Sequence, residues 1–382
     1  MSNYQVPEPI INSPFEEPKE HWNIVEGEQP QLLPGRRRAI YFYRDPKAKT
    51  DKNYRGERGV PIELKLVNLI RERVKAWRKA DYPGATRTTH DLLQWWRRNG
   101  REVRLFFAQI EAAETIIFLN EARADFRQGI DIPRDEPGEE AKKKGYRGFL
   151  RYASKMATGT GKTTVMAMVA AWSILNKLAN RNDGRFSDAV LVVCPNVTIR
   201  DRLNELKPEL GDASTYRSRD IVSEHLMPVL TQGKVIVTNW HVFEPQVVHQ
   251  GGISAKVIKS GVEERRTEWI RISSKKTTAR GHRYLTPSEF NRQVSAGLLS
   301  VQKEDRDKTG ALVRVKVESA RYVKSDTALI DEVLGRDIGG KKNLLVMNDE
   351  AHHAYRIRRE EADEEQEEET YGEKESADEF FR

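Results

Sequence analysis

Two short stretches decide how this chain is read: Met156-Ala-Thr-Gly-Thr-Gly-Lys-Thr163 and Asn348-Asp-Glu-Ala-His352. In the first, Gly159 and Gly161 let the backbone wrap closely around an anion, and a helix is predicted over 162–179. A helix N-terminus presents free N–H groups and partial positive charge, so a glycine-rich loop feeding one is a phosphate cradle. Thr158, Gly159, Thr160 and Gly161 form the loop. Lys162 would reach the β- and γ-phosphates of a nucleoside triphosphate, and Thr163 would place its hydroxyl on magnesium. In the second stretch, Asp349 and Glu350 follow Leu344-Leu-Val-Met347, an apolar strand that would hold both carboxylates rigidly at its C-terminal end. Asp349 would hold the magnesium, directly or through water, and Glu350 would polarise the attacking water as general base. The two stretches imply ATP and Mg2+ as cofactors, with Lys162, Asp349 and Glu350 as the catalytic residues.

The flanking pattern sets the fold class. Strands are predicted at Phe149–Lys155, Asp188–Val193, Lys234–Asn239 and Leu344–Met347, and a further helix at Val197–Leu206. Short apolar strands alternating with helices predict an α/β domain with a parallel sheet and helices on both faces, over residues 146–359. Residues 250–340 break the alternation with dense charge, which predicts an insertion. Within it Val313, Val315 and Val317 alternate with charged residues, as in a half-buried strand.

Ahead of this domain, residues 61–145 read as mainly helical. Leu66, Leu69, Ile70, Val74 and Trp77 form one stripe, Tyr82-Pro-Gly84 breaks it, and helices follow at Thr89–Arg98 and Leu105–Ala122. Trp95 and Trp96 are adjacent, so at most one of them sits centrally on a buried face. Residues 1–60 are Pro- and charge-rich and read as an extended arm.

The net charge of +7 is uneven: residues 360–382 hold 12 acidic and 2 basic side chains, so the other 359 residues carry +17. A basic body points to a polyanion partner, most simply nucleic acid, with a solvated basic surface as the alternative, and the low-complexity acidic tail reads as solvated. No apolar run approaches the roughly 18 residues of a membrane span. The start, Met1-Ser-Asn-Tyr-Gln-Val-Pro, lacks the marks of an export signal. Cys194 is the one cysteine, which excludes an intramolecular disulfide framework and a cysteine-rich zinc site. A cytoplasmic protein without a membrane partner fits these features.

The loop and the acidic stretch together resemble the DEAD/DEAH-type superfamily 2 helicases, and more closely the ATPase-motor (Res) subunit of type III restriction enzymes. Met156 is a departure, standing where the family pattern has Ala or Gly. Phe107-Ala-Gln-Ile-Glu-Ala112 resembles the family's adenine motif, which makes Gln109 the implied adenine contact. Val193-Cys-Pro-Asn-Val-Thr-Ile-Arg200 and Val235-Ile-Val-Thr-Asn-Trp-His-Val-Phe243 resemble its strand-and-turn DNA contacts. They imply nucleic-acid roles for Asn196, Thr198, Arg200, Thr238 and Asn239, for each of which a cap or turn is the alternative. His352 is implied at the nucleotide site, coupling it to a second motor domain.

The resemblance implies a first RecA-like P-loop domain acting as the ATP-binding half of a DNA translocase or helicase. A second RecA-like domain or subunit would supply an arginine finger, and a modification methyltransferase subunit is a further implied partner. No Gln-x-x-Gly-Arg-x-x-Arg follows Asp349 within residues 1–382, and no nuclease-type acidic pair with a lysine is found. The chain therefore reads as the N-terminal part of such a motor. The alternative is a non-enzymatic remnant that binds ATP and DNA without turnover.

Overall fold

The computed structural model describes residues 8–24, 29–43, 60–143, 145–243, 262–273, 283–307, 310–323, 335, 338, 341 and 343–351. His352 and the acidic tail lie outside the described residues. The chain divides into one compact unit of residues 1–238 with 341–382, and a second of residues 239–340.

The first unit opens with two antiparallel ribbons. β1 (Glu20–Asn23) pairs with β2 (Gln31–Pro34), and β3 (Ile40–Tyr43) with β4 (Val60–Glu63). Part of the region read as an extended arm is thus paired strand. Three helices follow: α1 (Lys65–Lys79), α2 (Arg87–Arg97) and α3 (Phe107–Glu121). Thr86 caps α2 by accepting from the Thr89 N–H at 3.1 Å. Trp96 is buried and Trp95 only partly so, and their indole N–H groups donate to the carbonyls of Ile221 and Asp220. A short helix, α4 (Glu139–Lys143), stands within the charged stretch before the glycine-rich loop.

α5 (Lys162–Ala179) is apolar nearly all round, so it can only sit inside the core. Its Ala167–Leu175 run is buried against α2, α3 and the sheet. β5 (Ala189–Cys194) is the middle strand of a three-stranded sheet, and its continuous apolar run suits a strand covered on both faces. α6 (Val197–Leu203) follows it, capped by Asn196, which accepts from the Ile199 N–H at 2.9 Å. Two four-residue helices, α7 (Thr215–Ser218) and α8 (Met227–Leu230), lead to β6 (Lys234–Asn239) on one side of β5. The Lys234 N–H donates to Asp188 at the start of β5, and the Cys194 thiol to Thr238 O at its end, so the two strands run in one direction.

The second unit is a four-stranded sheet in the order β8-β7-β10-β9. β7 (Val262–Ile272), β8 (Arg283–Leu285), β9 (Leu299–Arg306) and β10 (Leu312–Val323) carry a small core of Ile270, Ile272, Leu285, Leu299, Val315 and Val317 on one face. α9 (Pro287–Ser295) adds Phe290 to that core. Val315 and Val317 are buried as their alternation predicts, whereas Val313 sits at a register shift and is exposed.

β11 (Leu345–Asn348) returns to the first unit and pairs parallel with β5, from Leu345 beside Val190 to Asn348 beside Val193. Asn343 helps to place it: its carbonyl accepts from the Ser187 hydroxyl at 2.7 Å and its amide donates to Gly184 O at 2.5 Å.

The expected strand at Phe149–Lys155 is not formed. Only Phe149 bridges, to Asp135, and residues 150–157 make no ladder. Arg151, Ala153, Ser154 and Lys155 favour strands weakly, and Phe149 and Leu150 are exposed, so no apolar face drives the segment into the sheet. The fold is therefore mixed α/β with a three-stranded parallel sheet at its centre.

Candidate nucleotide site

The site is built where α5, β11 and the start of α3 meet. Gly161 stands at the N-cap of α5 with φ 81°, in the left-handed region that side chains other than glycine rarely adopt. A second constraint acts there: a Cβ on Gly161 would lie 2.0 Å from Gln109 Nε2. The buried Gln109 carboxamide thus rests directly on the glycine. Its Oε1 accepts from the Phe106 N–H at 2.8 Å, which fixes the amide plane and turns Nε2 toward the loop. The loop itself is pinned by Thr160, whose hydroxyl donates to Ala157 O at 2.6 Å. Gly159 also has a positive φ, with open space where a Cβ would stand.

The acidic pair arrives on the C-terminal end of β11. The Asp349 N–H extends the ladder by donating to Val193 O at 2.9 Å. Glu350 then turns into the left-handed region, φ 53°, while its N–H donates to Asp349 Oδ1 at 3.2 Å. This turn aims Glu350 back at α5, where its carboxylate lies 3.4 Å from Lys162 Nζ. Burial pushes the Asp349 carboxyl above its ordinary range and the Glu350 charge adds to that, while Arg202 and Lys162 pull the other way.

The structure therefore brings together Gln109, Thr158, Gly159, Thr160, Gly161, Lys162, Thr163, Asp349 and Glu350 around the N-terminus of α5. Arg202, on α6, is a cation felt by Asp349 that the sequence reading passes over. Its signal was present, two residues beyond Arg200 on the helix that follows β5.

The five residues read as DNA contacts lie near the C-terminal ends of β5 and β6. Asn196 is the helix cap of α6, Arg200 pairs with its neighbour Asp201 at 3.1 Å, and Thr198 is exposed. Thr238 accepts the Cys194 thiol hydrogen through its carbonyl, and Asn239 ends β6. The buried Cys194 is raised by burial and by the Asp349 charge, and so behaves as a small core side chain.

Among the described residues no cluster of three His, Cys, Asp or Glu side chains could hold a metal. Mg2+ does not need one, because it keeps several waters and takes one or two carboxylates beside phosphate oxygens. Thr163 and Asp349 fit that habit, and the open, left-handed glycine loop fits a phosphate chain. No helix among the described residues is long and apolar enough to cross a membrane.

Residues 102–268 match the family model described as type III restriction enzyme, res subunit. That span runs from just before α3 through the glycine-rich loop and β6 into β7. No curated protein and no solved structure matches the chain.

Proposed function

From a res-subunit-type ATPase domain over residues 102–268, we propose that this chain is the ATP-binding half of a DNA translocase or helicase of type III restriction type. It would couple ATP hydrolysis to movement on DNA together with a second RecA-like domain. The convergence of two motifs nearly 190 residues apart carries this reading: Lys162 lies 3.4 Å from Glu350, beneath a left-handed Gly161 covered by Gln109. An incidental Gly-Lys-Thr turn would have no reason to meet an acidic pair at the end of a parallel strand.

The N–H groups of the loop and of the first turn of α5 would bind the phosphates, with Lys162 exchanging Glu350 for phosphate oxygens. That exchange leaves the Glu350 carboxylate to orient the attacking water and take its proton. Thr163 and Asp349 would hold Mg2+, which when bound supplies neutralisation of phosphate charge. Gln109, with Oε1 committed to Phe106, would meet the adenine through its amide. Thr198, Arg200, Thr238 and Asn239 would touch the DNA backbone, with Asn196 shaping the turn as a cap. His352 would couple the site to the second domain, and a modification methyltransferase would be a further partner.

Steady-state ATP hydrolysis and direct ATP binding, with and without duplex DNA, beside Lys162→Ala, test this reading. The chain should bind ATP, with affinity lost at least about tenfold in the variant. Hydrolysis measured without a second RecA-like domain should be slow, because an arginine finger contributes roughly 10³–10⁵ in rate. Absent ATP binding, or binding indifferent to Lys162→Ala, would refute the site.

A further inference from the structure

The second unit carries an unusual charge arrangement on the sheet face opposite its core. β7 and β10 place Arg271 directly opposite Arg314, and β10 and β9 place Lys316 directly opposite Lys303. Like charges facing each other across an antiparallel pair destabilise a sheet. Two such pairs side by side are a cost that folding alone does not explain.

Arg314 is partly compensated: it bonds Asp305 at 3.1 Å and its guanidinium lies 4.2 Å over the Trp269 ring. Arg265 and Glu318 balance each other at 3.6 Å. Among the described residues no carboxylate pairs with Arg271, Lys303 or Lys316. Three uncompensated cations therefore cross three adjacent strands, about 12 Å from Arg271 to Lys303 over two strand spacings and a two-residue offset.

Two half-buried aromatic side chains share this face, Trp269 beside Lys316 and Tyr284 beside Arg271. Flat rings interleaved with cations on one sheet face suit a strand whose bases are unstacked. Each base can lie on a ring or guanidinium plane while its phosphates meet the cations. A closed duplex hides its base faces and would use only the charge.

We propose that this face of the β8-β7-β10-β9 sheet binds single-stranded nucleic acid, with Lys303, Lys316 and Arg271 on phosphates and the Trp269–Arg314 stack and Tyr284 on bases. The choice of nucleic acid as the polyanion rests on the motor reading, but the surface shares no residue with the nucleotide site.

The test is anisotropy of a labelled oligothymidylate with the full chain across a salt series, comparing wild type, Lys303→Ala with Lys316→Ala, and Trp269→Leu. ATP binding and urea unfolding are measured on the same samples. The double variant should lower the log–log salt slope by about 1.4, at ~0.7 per phosphate contact on a single strand. Its urea midpoint should be unchanged or higher, since a like-charge pair is relieved. Trp269→Leu should weaken binding with the slope intact. An unchanged slope in the double variant, or equal losses on a hairpin duplex of the same length, would overturn the proposal. ATP binding reports separately on the motor reading, because none of these substitutions touches its residues.

Discussion

Asp349 shows what the site costs the fold. Its backbone belongs to the β11–β5 ladder, but its carboxyl is half-buried and set beside Glu350, so the ionised form is disfavoured. A carboxyl whose pKa is raised on folding contributes stability below its unfolded value of about 3.9 and loses it as pH rises through the folded value. At neutral pH the ionised Asp349 therefore strains the native state. Asp349→Asn should raise the urea midpoint at pH 7, with an advantage that shrinks as pH falls toward the ordinary carboxylate range, while ATP hydrolysis is lost. A midpoint lowered at pH 7 would contradict this. Glu350 adds a second cost, since a non-glycine residue in the left-handed region is strained by roughly 1–2 kcal/mol. The roles proposed for Lys162, Thr163 and Asp349 come from sequence alone, because phosphate and magnesium chemistry dictates residue types at fixed spacing. The contact of Gln109 with Gly161 could not, because it joins positions 52 apart through the packing of α3 on α5.

At the scale of elements, α3 organises the first unit. Its buried Glu114 accepts from Arg78 of α1 at 2.5 Å, from Arg97 of α2 at 2.5 Å and from the Tyr82 hydroxyl at 2.9 Å. Burial alone would raise this carboxyl, but the bonds from Arg97 and Arg78 overcome it and hold it low. Further along, Glu121 accepts from the Trp172 indole of α5 at 2.5 Å and from Thr89 of α2 at 2.6 Å. These bonds fix the axis that carries Gln109 to the loop. Glu114→Ala would leave two arginines uncompensated and should cost roughly 3 kcal/mol in urea unfolding, the low end for a broken buried pair because both arginines are partly exposed. The loss should be smaller in acid, where a carboxyl of lowered pKa loses its contribution as pH falls through its folded value. An effect below about 0.5 kcal/mol, the range of ordinary surface substitutions, would sink this account. Local signals made α5, β5 and β6 legible: unbroken apolar runs bounded by Gly161, Pro195 and Asn239. α9 is equally legible in its first turn. Thr286-Pro-Ser-Glu289 is a capping box with proline in the first turn, and the structure forms both reciprocal bonds. Its surroundings are so charged that the helix lacks a conspicuous stripe. Glu114 with its two arginines leaves no local pattern, since its partners lie 36 and 17 residues away.

Among the described residues, most of the buried apolar side chains fall into two clusters that share no member. One runs from Val74 to Val235 around α5, and the other consists of Ile270, Ile272, Leu285, Phe290, Leu299, Val315 and Val317. The contrast in size is physical: the first cluster surrounds an 18-residue helix buried on nearly every face, whereas the second covers one side of a single sheet. A sheet with one covered face and like charges across the other holds little reserve. Separate cores of unequal strength should not unfold as one two-state system. Urea unfolding followed by far-UV dichroism is therefore expected to show two transitions, the β-rich unit melting first. Ile270→Ala, at a fully buried position, should lower the first midpoint by an amount equivalent to about 2–5 kcal/mol and leave the second in place. Leu93→Ala, fully buried in the larger cluster, should do the reverse. A single transition shifted by both substitutions would mean that the two cores fold as one cooperative body. In that case the insertion read from the charge-dense stretch around residues 250–340 would fold together with the first unit's core.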